Sequence, residues 1–253
     1  MSIEELVERF NQQPKHRILK FGPVRTDSEI GQYLIKQRKI ENLNLFYEAY
    51  YQIHHNRVEP VLVNINRYEN FILGIQLRNL KNKHSERFFK IYNFEDLWDF
   101  FPEKESLATD ELARYNKLSY CYNILNVNFE QPITLFEGYI DSIFFPNSIG
   151  LVGTNTDYSF LLDESLDVRF FFDNDFAGLK KTKEMLFKGY QVFLWERFLK
   201  QLSSTGKDPD LMYHKLKRKI TDLNALAKRV HNPFYTLKLE EYFSHDKLDL
   251  LQL

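Results

Sequence analysis

Acidic residues fall in three places along the second half of this 253-residue chain, in a pattern that could hold a metal ion. Glu137 follows the apolar run Ile133–Phe136. Asp173 and Asp175 follow Val168–Phe172. Asp208 and Asp210 lie in the loop Gly206-Lys207-Asp208-Pro209-Asp210. Short apolar runs bounded by turn residues read as buried strands. Ligands of open parallel sheets collect at the carboxyl ends of the strands, where carboxylates from three such ends can converge. Like charges packed this closely repel and raise each other's pKa unless a cation neutralises them. Several hard oxygen donors select Mg²⁺ or Mn²⁺ over zinc. Such an ion polarises phosphoryl oxygens, helps to ionise a hydroxyl, and screens developing charge. A single Asp after a strand is also a commonplace cap for the next helix. It is the triple, in order on one frame, that points to chemistry.

The frame itself is legible after Gln131. PITLFEGY reads as a strand ending in Glu-Gly, Tyr139–Phe145 as a helix, and SIGLVGTN as a second strand with a Gly turn. VRFFFDND is a third strand, AGLKKTKEMLFKG a helix closed by Gly189, and YQVFLWERF opens on a fourth strand. Strand and helix alternating at this spacing imply parallel βαβ units. Upstream the pattern is mixed. Residues 1–12 put Ile3, Leu6, Val7 and Phe10 on one helical face, and Thr26 or Asp27 caps a helix reaching Lys39. A third helical pattern covers Asn42 to Ile53. Val61–Asn64 and Asn70–Leu80 read as strands, LKNKHSERFF as a hairpin, and Glu95–Phe101 and Thr109–Leu125 as helices. The expected class is α/β. A basic α+β region over 1–130 precedes a parallel-sheet region over 131–215 with flanking helices, then a helical segment over 216–253. The boundary falls near 128–132, where Pro132 precedes the first parallel strand.

Composition narrows the function classes. One cysteine, Cys121, excludes a disulfide framework and a Cys-cluster zinc site, and its apolar and aromatic neighbours imply a buried, inert thiol. The seven His show no metal spacing, and GTNT lacks the Gly-Lys-Ser/Thr ending of a P-loop. With 23 Phe and 15 Tyr, aromatic-rich cores are expected. No apolar run approaches the ~18 residues of a membrane span, and the acidic start MSIEELVERF lacks a signal-peptide core, so a soluble cytoplasmic protein is expected. Net charge is −1, yet Lys15–Lys90 holds 14 Lys/Arg against 7 Asp/Glu, a local +7. Leu211–Val230 holds 6 against 1, a local +5. Basic walls around an acidic centre suit a metal-dependent enzyme acting on a polyanion; solvated surface gives the same counts.

Several segments resemble one family. Glu137-Gly138-Tyr139-Ile140-Asp141 is similar to the Glu-Gly-Tyr-x-Asp motif of TOPRIM domains in bacterial- or phage-type (DnaG-type) DNA primases. Ser148-Ile149-Gly150-Leu151-Val152-Gly153-Thr154 resembles the next strand and its Gly-Thr turn. Asp173-Asn174-Asp175-Phe176-Ala177-Gly178 resembles Asp-x-Asp-x-Ala-Gly, with Asn174 where Gly is usual, and Gly206–Asp210 resembles a Gly-Lys-Asp-Pro-Asp segment characteristic of primases. Upstream, Ile72–Arg78 looks like the family's Val-Ile-Gly-Phe-x-x-Arg strand. Phe88–Asn93 looks like its Lys-Tyr-x-Asn segment without the following Ser-Pro. Tyr115–Tyr120 looks like the segment whose Lys precedes the TOPRIM domain. Gln32–Arg38 is a weaker match to the Tyr-Leu-x-x-Arg helix, off by one in spacing. The likeness spans roughly 30–215 and does not reach residues 216–253.

The resemblance implies a primase catalytic core that copies single-stranded DNA into short RNA primers from NTPs. It implies Asp173, Asp175 and Asp208 as ligands of Mg²⁺ or Mn²⁺, Glu137 as ligand or base toward a 3′-hydroxyl, and Asp210 as ligand or orienting group. Gly138, Asp141 and Gly178 would support that site. Arg78, Lys90 and Lys117 would hold template, primer or nucleotide phosphates. The family's zinc module and helicase-binding domain find no match here, so a replicative helicase or a separate zinc-bearing module is the expected partner, or the chain is a fragment. A TOPRIM nuclease would use the same acids for hydrolysis, and a non-catalytic nucleic-acid-binding replication protein would use neither; a type IA topoisomerase would need a nucleophilic Tyr in further domains.

Overall fold

A computed structural model describes residues 3–12, 18–54, 57–69, 71–81, 89–98, 109–152, 156–162, 165–204 and 207–253. The chain divides into two units, Met1–Leu125 and Asn126–Leu253. The observed boundary therefore falls a few residues before the one expected from Pro132.

The first unit is built on an antiparallel meander. Helix α1 (Ile3–Gln12) precedes strand β1 (Ile18–Pro23) and the short α2 (Glu29–Gln32), which continues as a π-helix over Tyr33–Arg38. Ser28, rather than Thr26 or Asp27, is the cap: its Oγ accepts from the Gly31 N–H at 3.0 Å. The helix stops at Lys39 in the left-handed region, φ 60°. Strands β2 (Tyr47–His54), β3 (Arg57–Tyr68), β4 (Phe71–Asn79) and β5 (Phe89–Tyr92) follow, pairing antiparallel in the order β1-β2-β3-β4-β5. The helix expected over Asn42–Ile53 is thus a 3₁₀ turn and a strand. FYEAYYQI is dense in aromatics, which suit a pleated, half-buried surface, and strand pairing overrides its helical spacing. The turn of the expected β4–β5 hairpin, 82–88, lies outside the described residues, but its flanks pair as a hairpin requires. Helices α3 (Phe94–Trp98) and α4 (Thr109–Leu118) and the short β6 (Cys121–Tyr122) complete the unit. Residues 99–108, which hold the rest of the expected helix to Phe101, are outside the described set. The second helix stops at Leu118 rather than Leu125. One core joins Leu6 of α1 to Phe21, Ala49, Val61, Val63, Ile75 and Leu77 of the sheet. Cys121 is fully buried, as its neighbours imply.

The second unit alternates as expected. Its elements are β7 (Ile133–Phe136), α5 (Tyr139–Ser142), β8 (Ser148–Leu151), β9 (Val168–Phe171), α6 (Phe176–Phe187) and β10 (Gln191–Phe193). There follow α7 (Trp195–Ser203), α8 (Pro209–Lys219), α9 (Leu223–Ala227), α10 (Pro233–Thr236) and β11 (Phe243–Ser244). Among the strands of this unit the order runs β11-β10-β9-β7-β8, parallel from β10 to β8. Every residue of β7, β8 and β9 is buried, the pattern of strands covered on both faces. Aromatics fill the space: the Phe171 ring stacks on Phe193 at 4.1 Å and on Phe136 at 4.9 Å.

The segment after 216, expected to be helical, also contributes a strand. Pro233–Thr236 and Leu239–Tyr242 are single turns, and β11 adds antiparallel to β10 at the sheet edge. Arg169 of β9 ties this segment down. Its side chain is buried, its Nε donates to Thr134 Oγ1 at 2.8 Å, and its guanidinium pairs with Glu240 and lies 4.5 Å over the Phe243 ring. The fold class is mixed α/β, one antiparallel sheet and one largely parallel sheet. Among the described residues no helix is long and apolar enough to cross a membrane.

Candidate functional site

β7 and β9 are parallel neighbours, with Leu135 beside Phe170 and Phe136 beside Phe171. Their carboxyl ends therefore deliver Glu137 and Asp173 side by side. Glu137 Oε1 accepts from the Asp173 backbone N–H at 3.4 Å, and Glu137 Oε2 pairs with Lys181 Nζ at 3.1 Å. Lys181 projects from α6 and also lies 5.4 Å from the centre of the Phe172 ring. Asp175 caps α6, accepting from the Gly178 N–H at 2.8 Å. Gly178 is where the helix crosses the strand end most closely. A Cβ there would stand 2.0 Å from the Asp173 carbonyl oxygen. Gly138 faces no such constraint, since the nearest atom to its built Cβ is Asp141 Oδ2 at 3.8 Å.

A further acid comes from a place the sequence reading did not reach. Asp222 caps α9 through its Oδ1, which accepts from the Ala225 N–H at 2.6 Å. Asp141, from α5, accepts from the Asn224 N–H at 2.8 Å and so holds the same turn. Asn174 ties that turn to the strand end. Its backbone N–H donates to Thr221 O and its Nδ2 to Ile220 O, both at 2.7 Å. The residue that departs from the primase pattern thus has a structural task, fastening the end of α8 beside Asp173. No local periodicity announces Asp222; the only signal is an Asx cap ahead of LNALA.

Asp173 stands at the centre of this group. Burial, then the charges of Asp141, Glu137, Asp222 and Asp175, push its carboxyl up to about 8. Five acids thus share one electrostatic neighbourhood, with Lys181 the cation drawn onto Glu137. Most of their described contacts are to backbone N–H groups. Among the described residues no three His, Cys, Asp or Glu side chains stand in a metal-holding arrangement. The donor set itself, all carboxylate oxygen around a strongly raised Asp173, fits a hard divalent cation.

Asp208 and Asp210 lie apart from this group. α7 and α8 form an antiparallel pair: Glu196, near the start of α7, accepts from the Tyr213 hydroxyl and from Lys217 Nζ (3.0 Å) near the end of α8. Asp208 caps the start of α8, accepting from the Leu211 N–H at 3.1 Å, and Asp210 is in its first turn. Twelve residues of helix, a rise of about 18 Å, separate Asp208 from Ile220, where Asn174 makes its contact. The structure joins Glu137, Asp141, Asp173 and Asp175 and leaves the Asp-Pro-Asp acids at the far end of the helix pair.

The basic positions belong to the first unit. Arg78 is half-buried on β4, opposite Leu62 and Phe89. Lys90 pairs with Leu77 on β5, and its side chain lies outside the described residues. Lys117 is exposed on α4, whose end meets β4 where Ser119 Oγ donates to Leu73 O at 2.6 Å. Leu73 is five residues down the strand from Arg78, a rise of about 17 Å, so the backbone does not bring Lys117 and Arg78 together.

Comparison with protein-family models and with curated proteins finds no match for this chain.

Proposed function

We propose that the second unit is a metal-dependent phosphoryl-transfer centre of TOPRIM type and that the chain is a primase catalytic core. The observation that supports this most is the crowding of Asp141, Glu137, Asp222 and Asp175 around a half-buried Asp173. Nothing in folding alone favours assembling so many like charges at a sheet edge. A bound Mg²⁺ or Mn²⁺ would offset that repulsion, screen phosphate charge and make a 3′-hydroxyl a better nucleophile. Asp173 and Asp175, on the short loop after β9, would hold it, with Asp222 and Asp141 behind them. Glu137, paired with Lys181, would serve as a further ligand or take the proton from the attacking hydroxyl. Arg78, Lys90 and Lys117 would hold template or nucleotide phosphates.

A TOPRIM nuclease reading rests on the same acids, so the deciding experiment must score both outcomes. The full chain is incubated with single-stranded DNA, labelled NTPs and Mg²⁺ or Mn²⁺. Short oligoribonucleotides, lost in Asp173→Asn and Asp175→Asn, are the expected product. Shortened DNA without RNA synthesis would establish the nuclease. Neither product, together with no metal binding by calorimetry, would leave the non-catalytic reading.

A further inference from the structure

Beside the acids lies a cavity whose apolar lining the proposed chemistry does not use. It has a volume of about 230 Å³, and Asp173, Asn174 and Asp175 line one side of it. Phe193 and Trp195, both buried, form apolar wall with Leu179 of α6. Trp195 is fixed in place by its indole N–H, which donates to Phe172 O at 2.8 Å. Phe176, the first residue of α6, also borders the cavity and is 87% exposed. A lone exposed aromatic needs no explanation. An aromatic on the rim of an apolar-walled cavity, next to five acids, is a different arrangement. Glu196 and Lys217, paired with each other at 3.0 Å, complete the rim with polar edges.

Size and lining define the ligand. The volume is below the roughly 300–1,000 Å³ of pockets that enclose a drug-sized molecule, so it suits one ring system rather than a whole nucleotide. An apolar wall edged by polar groups suits a planar heteroaromatic, which stacks by its faces and hydrogen-bonds by its rim. A ring seated there would have Asp173 and Asp175 among its neighbours. We infer that this cavity is a nucleobase subsite, with Phe176 as its stacking platform. The inference rests on the phosphoryl-transfer reading for its choice of ligand. The base could belong to a free nucleotide or to the end of a strand, and the recognition chemistry is the same.

The test uses the full chain in a Trp98→Phe background, which leaves Trp195 as the single tryptophan of the two. Adenosine, which carries no phosphate, is titrated without metal while tryptophan fluorescence is followed. Saturable quenching is expected, with none from ribose. Phe176→Ala should weaken adenosine binding on the order of five- to 150-fold, the range of one base–aromatic stack, and Phe176→Tyr should restore it. Competition by ATP with Mg²⁺ assigns the base to a free nucleotide; competition by an eight-residue deoxyadenylate assigns it to a strand. No quenching by any of the three, or quenching that Phe176→Ala leaves unchanged, overturns the inference. These readouts need no synthesis. A protein that binds adenosine through Phe176 but makes no primer fails only the catalytic reading. One that makes primer with unaltered KM and adenosine binding in Phe176→Ala fails only this one.

Discussion

At neutral pH Asp173 keeps a proton that an ordinary carboxyl has lost, because burial and the charges of Asp141, Glu137, Asp222 and Asp175 push its pKa to about 8. A raised folded-state pKa means that the fold binds this proton more tightly than the unfolded chain does. The group's contribution is therefore fully present below about pH 4 and is lost as pH rises toward 8. Each pKa unit is about 1.4 kcal/mol, so the loss is on the order of a few kcal/mol. Asp173→Asn removes the charge while keeping the shape. Its metal-free melting temperature should match wild type near pH 4 and exceed it by roughly 4–10 °C at pH 8.5. A pH series of thermal melts checks this; parallel curves would mean that the acids are not coupled. Saturating Mn²⁺ should raise the wild-type melting temperature at pH 8 and leave Asp173→Asn nearly unmoved, since only a state that binds the ion gains from it. Asp222→Asn keeps the α9 cap and removes one charge. It should weaken Mn²⁺ binding by calorimetry without lowering stability, whereas Asp222→Ala should also cost about 0.5–2 kcal/mol as a lost cap.

Helix starts set the geometry of this site, and they separate residues that sequence alone groups together. Asp208 caps α8 far from Asp173. Asp208→Ala should cost about 1 kcal/mol in urea unfolding, and Asp208→Asn much less. Neither should change Mn²⁺ affinity, in contrast to Asp175→Asn, which should lower it at least tenfold. Gly178→Ala forces a Cβ to 2.0 Å from a backbone oxygen and should cost about 3 kcal/mol or more, the upper end of overpacking penalties. Gly138→Ala, whose Cβ would meet only Asp141 Oδ2 at an ordinary 3.8 Å, should cost under about 1 kcal/mol. Glu137 and Asp173 were legible because each directly follows a short apolar run, with Asp175 two residues on, and parallel strands carry such residues to one edge. Asp222 was not, because its position depends on α8 returning antiparallel to α7 and on Asn174 gripping Ile220, contacts 46 residues apart. The same long-range logic moved Asp208 away. The segment FYEAYYQI shows the other kind of failure: its spacing permits a helix, and its partner strands β1 and β3 decide otherwise.

Across the whole chain the net charge of −1 hides a division of labour. Acids gather at one end of the second unit's sheet, while Lys15–Lys90 and Leu211–Val230 carry the excess of cations. Lys217, Arg218 and Lys219 form the last turn of α8, the end that Asn174 fastens beside Asp173. The proposed binding of single-stranded DNA should therefore fall steeply with salt. Replacing Arg218 and Lys219 together with Gln should flatten the slope of log K against log salt by about 1.4, two contacts at ~0.7 each. An unchanged slope in filter-binding or anisotropy titrations would remove this turn from the binding surface.

The fastening of the last segment to the middle of the sheet also bears on synthesis of the chain. Arg169 waits for Glu240, and Asp173 gains its neighbour Asp222 only after α8 is complete. The 85 residues between Glu137 and Asp222 take on the order of 4–17 s to translate at ~5–20 residues per second. For that interval a ribosome carries the first acids of the cluster without the last. A nascent chain arrested before residue 222 should expose the Phe136–Phe171–Phe193 stack to chaperones and proteases, and should lack the metal binding proposed for the whole chain.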